Sequence, residues 1–203
     1  MNPIFAYDEN DLTALGRSAP ELIPLFERYG LIRRPITPDL FTALSESIIG
    51  QQISMKAQQT ILGRLSEALG DVTPEKILAV PPETVTACGV SLRKTDCLRG
   101  AAEAVLGGMT KTFLDALDDN GIISHLTRLK GVGVWTAEMM LIFCFGRKDV
   151  LSFGDFGIRT ALARLHGVEK LPKALFEEDR RRFSPYGTVA SFYLWESNKT
   201  AAG

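Results

Sequence analysis

The sequence predicts an all-α chain, and three observations carry that prediction. Apolar residues recur at helical spacing, strand-type alternation is almost absent, and Ser, Thr, Asp, Gly and Pro fall where helices begin and end. The 203 residues, 45% hydrophobic and 23% charged, supply a sizeable core and exclude disordered and collagen-like classes.

Taken in order, Asp39 after Pro38 caps a helix whose Leu40, Phe41, Leu44 and Ile48 share a face and which Gly50 ends. A second helix follows Gln51-Gln52, with Ile53, Ala57, Ile61, Leu65 and Leu69 as its stripe and Gly70 as its stop. Thr73-Pro74 and Pro81-Pro82 open two short helices, since Pro suits a first helical turn; Gly89 closes the second. Ser91 starts a helix that runs to Gly107-Gly108, residues 113–117 form a short one, and Asp118-Asp119-Asn120-Gly121 reads as a loop. Then come a short helix from Ser124, the turn Lys130-Gly131-Val132-Gly133, and a longer helix from Val134 through Phe145. Asp155 precedes a helix carrying Ile158, Leu162 and Leu165 and closed by Gly167. Residues 171–182 form a helix with a charged face, and Ser184-Pro185 opens a last one that reaches Trp195. Roughly ten helices with short connections fit one or two packed helical lobes rather than a sheet.

Net charge is −1 and the isoelectric point about 6.2, which taken alone argues against a nucleic-acid partner. Cys88, Cys97 and Cys144 are too widely spaced to hold zinc or an iron–sulfur cluster, and they read as reduced, buried thiols of a cytoplasmic protein. The apolar run Met139-Met140-Leu141-Ile142-Phe143-Cys144-Phe145 is too short for a bilayer. The start MNPIFAYDEN has no basic segment ahead of an apolar one, so neither a membrane nor a secretory address is expected.

Chemistry concentrates at the glycine turn. Gly131 and Gly133 let the backbone reverse between two helices and turn amide N–H groups outward at the start of the second, an anion site suited to a phosphate. Backbone amides position DNA without reading its sequence. Taken alone, the same two glycines also describe an ordinary helical corner.

The residues around the turn narrow the choice. Leu129-Lys130-Gly131-Val132-Gly133-Val134-Trp135-Thr136-Ala137, followed by Asp155 twenty positions after Trp135, resembles the helix–hairpin–helix DNA glycosylases (the HhH-GPD superfamily). Ser47-Ile48-Ile49-Gly50-Gln51-Gln52-Ile53-Ser54 and the ending Ser184-Pro185-Tyr186 with Ala190-Ser191-Phe192-Tyr193-Leu194-Trp195 are similar to its 3-methyladenine DNA glycosylase II branch. The likeness spans residues 38–197. It implies one glycosylase unit with two helical lobes and the active-site cleft between them. Some relatives carry an N-terminal β-domain, which is not expected here because residues 1–37 are too few to build it.

The resemblance assigns Asp155 as the catalytic carboxylate. Breaking an N-glycosidic bond builds positive charge on the sugar, which a fixed carboxylate stabilises while it orients or deprotonates a water. On the residues alone, Asp155 is equally a helix cap, and the two roles are compatible. Trp135 stands where bifunctional relatives place a Schiff-base lysine, which implies a monofunctional enzyme that leaves an abasic site. The cysteine quartet that binds an iron–sulfur cluster in the endonuclease III branch is missing. Gln52 matches the side chain that fills the gap left by the flipped nucleotide. Trp135, Trp195, Met139 and Gln51 match base-pocket positions, where indole faces stack on a cationic base. Met139 is aromatic in some relatives, and either Trp is also an ordinary core residue by composition.

At the hairpin, Lys130, Gly131, Val132, Gly133 and Thr136 are the implied phosphate contacts, with Lys130 in place of the family's usual proline. The carbonyls of Thr127, Leu129 and Val132 are the implied seat of a structural Na+ or K+; no other cofactor is required. His125 and His166 show no metal or catalytic pattern and read as surface or helix-end residues. The expected partner is damaged DNA, carrying alkylated purines such as 3-methyladenine, and the expected state is monomeric. A glycosylase for uracil, mismatched thymine or an oxidised base, and a non-catalytic DNA-binding module, are the alternatives. Acidic residues cluster at 8–11, 115–119 and 177–179, whereas Lys130, Arg147, Lys148, Arg159 and Arg164 lie near the hairpin and Asp155 in sequence. A basic face hidden within the balanced total is therefore expected.

Overall fold

The computed structural model describes residues 2–201. Among these, thirteen α-helices and one 3-10 turn account for the regular structure, and the single β-bridge, Ile4 to Pro35, belongs to no strand. The all-α prediction holds.

The chain divides into two compact units. Thr37–Phe145 forms one of them, with α3 (Leu40–Gly50), α4 (Met55–Leu69), α5 (Pro74–Ala79), α6 (Pro82–Ala87), α7 (Leu92–Leu106), α8 (Lys111–Asp115), α9 (Asp119–Leu126) and α10 (Val134–Phe143). Its core is α7 packed on α3 and α5, with Leu44, Ile48, Ile49, Leu65, Ile77, Leu98 and Leu126 essentially dry. Each such aliphatic side chain contributes about 1.5–3 kcal/mol by leaving water.

The other unit joins residues 2–36 to residues 146–201: α1 (Glu9–Ser18), α2 (Ile23–Tyr29), α11 (Phe156–Leu165), α12 (Lys173–Phe183) and α13 (Gly187–Ala201). Its axis is α13, whose Val189, Ala190, Phe192, Tyr193 and Leu194 are fully buried. Phe5 meets the Phe192 ring edge-on at 5.1 Å, and the Tyr193 hydroxyl donates to the Gly30 carbonyl at 2.7 Å. These contacts tie the N-terminal segment to the C-terminal helix. Burial pushes the Tyr193 hydroxyl far above its ordinary pKa.

Caps at Asp39, Ser54, Thr73, Ser91 and Asp155 act as their sequence positions predict, each side chain accepting from a backbone N–H of the first turn. Three boundaries differ. Asp118 caps α9 through Gly121 N–H at 2.7 Å, so the Asp-Asp-Asn-Gly run begins a helix rather than forming a loop. The last helix starts at Gly187, two residues beyond Pro185, because Asp149 accepts from Gly187 N–H at 3.1 Å and from the Ser184 hydroxyl at 2.6 Å. Residues 9–29, given no element above, hold α1 and α2, with Asp8 and Asp11 forming a reciprocal capping box on α1.

Candidate functional site

The predicted site residues fall in both units. Asp155 and Trp195 belong to the α11–α13 unit; Gln51, Gln52, the hairpin, Trp135, Thr136 and Met139 belong to the other.

Asp155 is 9% exposed, and its Oδ1 accepts from Ile158 N–H at 2.8 Å and from the Trp195 indole N–H at 3.0 Å. Cap and indole thus fix one carboxylate at the positive end of α11, where the helix dipole favours negative charge. Gly157 makes the close approach possible: a Cβ there would lie 3.2 Å from both Asp155 Oδ1 and Trp195 Cδ1. Asn198 then donates to the Gly157 carbonyl at 2.8 Å, a support that no sequence motif announced. Trp195 is therefore joined directly to Asp155.

In the hairpin, Gly131 has φ +83°, and a Cβ on it would sit 2.6 Å from Cys97 Sγ, so only glycine fits. Gly133 is the N-cap of α10, and no side chain caps that helix, unlike α7, α9 and α11. Val132 N–H donates to the Leu129 carbonyl at 3.1 Å. No donor among the described residues reaches the carbonyls of Thr127 and Val132, whose hard oxygens suit a monovalent cation. Trp135 is 42% exposed while Met139, one turn on along the same face, is buried. Thr136 is 4% exposed, which takes its hydroxyl largely out of solvent. Lys130 is exposed and pairs with Asp96 at 3.3 Å.

The Gln51-Gln52 segment is held from two sides. Gln51 Nε2 donates to the Gly131 carbonyl at 2.9 Å, which ties this segment directly to the hairpin. Lys94 Nζ donates to the carbonyls of Ile49 at 2.8 Å and Gln51 at 2.6 Å, and desolvation lowers its pKa. Gln52 sits at φ +59°, the one positive φ on a non-glycine residue among those described, and its side chain is exposed. A left-handed glutamine at the tip of a clamped turn is strain of the kind that collects at functional sites. The sequence marked Gln52 but not Lys94, whose role depends on a contact 43 positions away.

Cys88, Cys97 and Cys144 are free and buried, with burial pushing the Cys144 thiol up to about 12. His166 is the C-cap of α11, a helix-end residue as expected, and it meets the buried Asp179 of α12 at 2.7 Å. No helix among the described residues is long and apolar enough to cross a membrane.

Residues 46–185 match the model of the HhH-GPD superfamily of base excision DNA repair proteins. The DNA-3-methyladenine glycosylase 1 of Schizosaccharomyces pombe is 33% identical, over 95% of this chain and 87% of its own length. A crystal structure of a DNA-3-methyladenine glycosidase from Bacillus halodurans superposes with a TM-score of 0.87 at 34% identity, covering 98% of this chain and 94% of that one. The Schizosaccharomyces pombe 3-methyladenine DNA glycosylase in complex with abasic DNA gives 0.79 at 31% identity, covering 95% and 97%. The chain belongs to the HhH-GPD superfamily of base excision DNA repair proteins.

Proposed function

We propose that this protein is a monofunctional DNA glycosylase that flips alkylated purines such as 3-methyladenine out of DNA and hydrolyses the N-glycosidic bond, leaving an abasic site. The observation that carries the reading is Asp155, nearly buried, capping α11 and bonded by the Trp195 indole. As the C1′–N bond breaks, its electron pair leaves with the base, whose positive charge is thereby neutralised. Charge builds on the sugar, where the Asp155 carboxylate stabilises it. Water then bonds to C1′ and gives up its proton, with the same carboxylate as acceptor. A cationic base leaves readily, so a second acid is not needed. No amine stands at Trp135, which supports hydrolysis without strand cleavage.

Gln52 fills the space of the extruded nucleotide, and the exposed Trp135 stacks on the cationic ring for about 1–2 kcal/mol. Gly131, Val132 and Gly133, with Lys130, receive a phosphate, whereas Thr136 is too buried to serve as the expected contact. A Na+ or K+ would be held by the carbonyls of Thr127, Leu129 and Val132 and would add positive charge beside that phosphate. The relatives' names carry the substrate class, and one is solved with abasic DNA, the form in which this reaction leaves its product. The protein acts as a monomer on damaged DNA in the cytoplasm, a reading with which three free, buried thiols are compatible.

Mass spectrometry of bases released from methylated duplex DNA tests the reading, with 3-methyladenine and 7-methylguanine as the expected products and an intact strand. Release of uracil or an oxidised base alone would replace the substrate assignment. Release of no base from any lesion duplex would leave a DNA-binding module.

A further inference from the structure

Within the Thr37–Phe145 unit lies a cavity of about 210 Å³, lined by Thr37, Glu46, Ser47, Met139 and Phe143 among others. At ~30 Å³ per water, that is room for about seven waters, the scale of a single nucleobase. Its lining combines apolar walls, Met139 and Phe143, with one ionisable group, Glu46. Glu46 is half-buried on α3, and its Oε2 accepts from the Thr37 hydroxyl at 3.2 Å. No cation among the described residues pairs with it, and desolvation raises its pKa. A half-buried carboxylate with one neutral hydrogen bond is costly to keep, and folded chains retain such groups where they have a ligand to meet.

We infer that Glu46 is a specificity-determining residue of the base pocket, its carboxylate facing the charged ring of an N-alkylated purine and accepting an N–H from it. The inference rests on the glycosylase reading, because Met139 of this cavity lies one turn along α10 from Trp135, which stacks on the base in that reading. The charge complements a cationic purine and opposes a neutral base that presents carbonyl oxygens. It adds to the preference for a cationic ring that cation–π stacking on the indole gives. The Thr37 hydroxyl, donating to Oε2, holds the carboxylate's orientation, and Ser47 lines the same cavity.

The test compares wild type with Glu46→Gln, which keeps shape and the Thr37 bond, and Glu46→Asp, which keeps charge. Single-turnover release of 3-methyladenine from methylated duplex is expected to fall about tenfold in Glu46→Gln, the scale of one charge-assisted hydrogen bond, and to recover in part in Glu46→Asp. Melting temperature and affinity for a duplex with an uncleavable abasic analogue are expected not to fall. In competition, the permanently charged 3,9-dimethyladeninium should inhibit wild type more than neutral 9-methyladenine, and Glu46→Gln should lose that preference. Wild-type release by Glu46→Gln, loss of release together with loss of fold, or equal inhibition of wild type by the two purines overturns the assignment. If wild type released no methylated base, the glycosylase reading itself would fall, and this inference with it.

Discussion

At the scale of single residues, Asp155 joins two functions that substitution separates. Asn caps a helix about as well as Asp, so Asp155→Asn should fold, bind DNA and lose base release. Asp155→Ala should lose release and also about 1 kcal/mol of stability, read as a lower denaturation midpoint than Asp155→Asn. Unchanged single-turnover rates in Asp155→Asn would remove the carboxylate from the mechanism. Glu46 gives a pH prediction of definite sign. Its folded pKa lies above the unfolded one, so its contribution to stability is complete below the unfolded pKa and is lost as pH rises through the folded value. Glu46→Gln should therefore melt level with wild type in acid and above it near neutrality, with the gap opening across the carboxylate range. A constant gap from acid to neutral pH would show that burial of the charge is not the cause. Asp155 was legible because cap, hairpin and spacing coincide in the sequence. Glu46 was not: a glutamate inside an amphipathic helix looks solvated until the hydroxyl and walls facing it are known.

At the scale of elements, the end of α3 is the most constrained turn near the hairpin. Lys94 from α7, Gln51 and the Gly131 carbonyl fix the backbone on which Gln52 stands. Lys94→Met keeps the aliphatic stem and leaves two carbonyls without their ammonium, which should cost about 1–3 kcal/mol. Base release should fall further than that loss of stability accounts for, because the plug is no longer positioned; equal rates below the melting transition would count against it. Gln52→Gly relieves a left-handed conformation worth about 1 kcal/mol while freeing the unfolded chain, so its melting point should stay close to wild type. Release from duplex DNA should nonetheless drop, and a variant as active as wild type would deny Gln52 its role as plug. Most helix starts could be read because Asp, Ser and Thr caps are local signals. The start of α9 is not legible in the same way, because an Asp followed by Asp-Asn-Gly offers the same side-chain oxygen to a turn as to a helix. The start of α13 could not be read, since Asp149 supplies its cap from 38 positions away.

At the scale of the whole molecule, the charge balance decides how DNA is held. The basic side chains expected to form one face divide between the units: Lys130 lies in Thr37–Phe145 and the other four in the second unit. Four of the five have a partner within their own unit: Lys130 pairs with Asp96, Lys148 with Asp11, Arg159 donates to the Phe153 carbonyl and Arg164 to the Ser197 hydroxyl. The unit that carries the hairpin has more acidic than basic residues. Of the five basic residues, Lys130 is the one within the hairpin, and its side chain stays 67% exposed despite the Asp96 pairing. Neutral backbone amides at the start of α10 release few counterions when they receive a phosphate, so affinity for undamaged duplex should depend only weakly on salt. A plot of log affinity against log salt concentration should be shallow, and Lys130→Ala should flatten it by about one further unit while lowering affinity alike for every sequence. A steep slope that Lys130→Ala leaves unchanged would mean that the phosphates are gripped by cations elsewhere on the molecule.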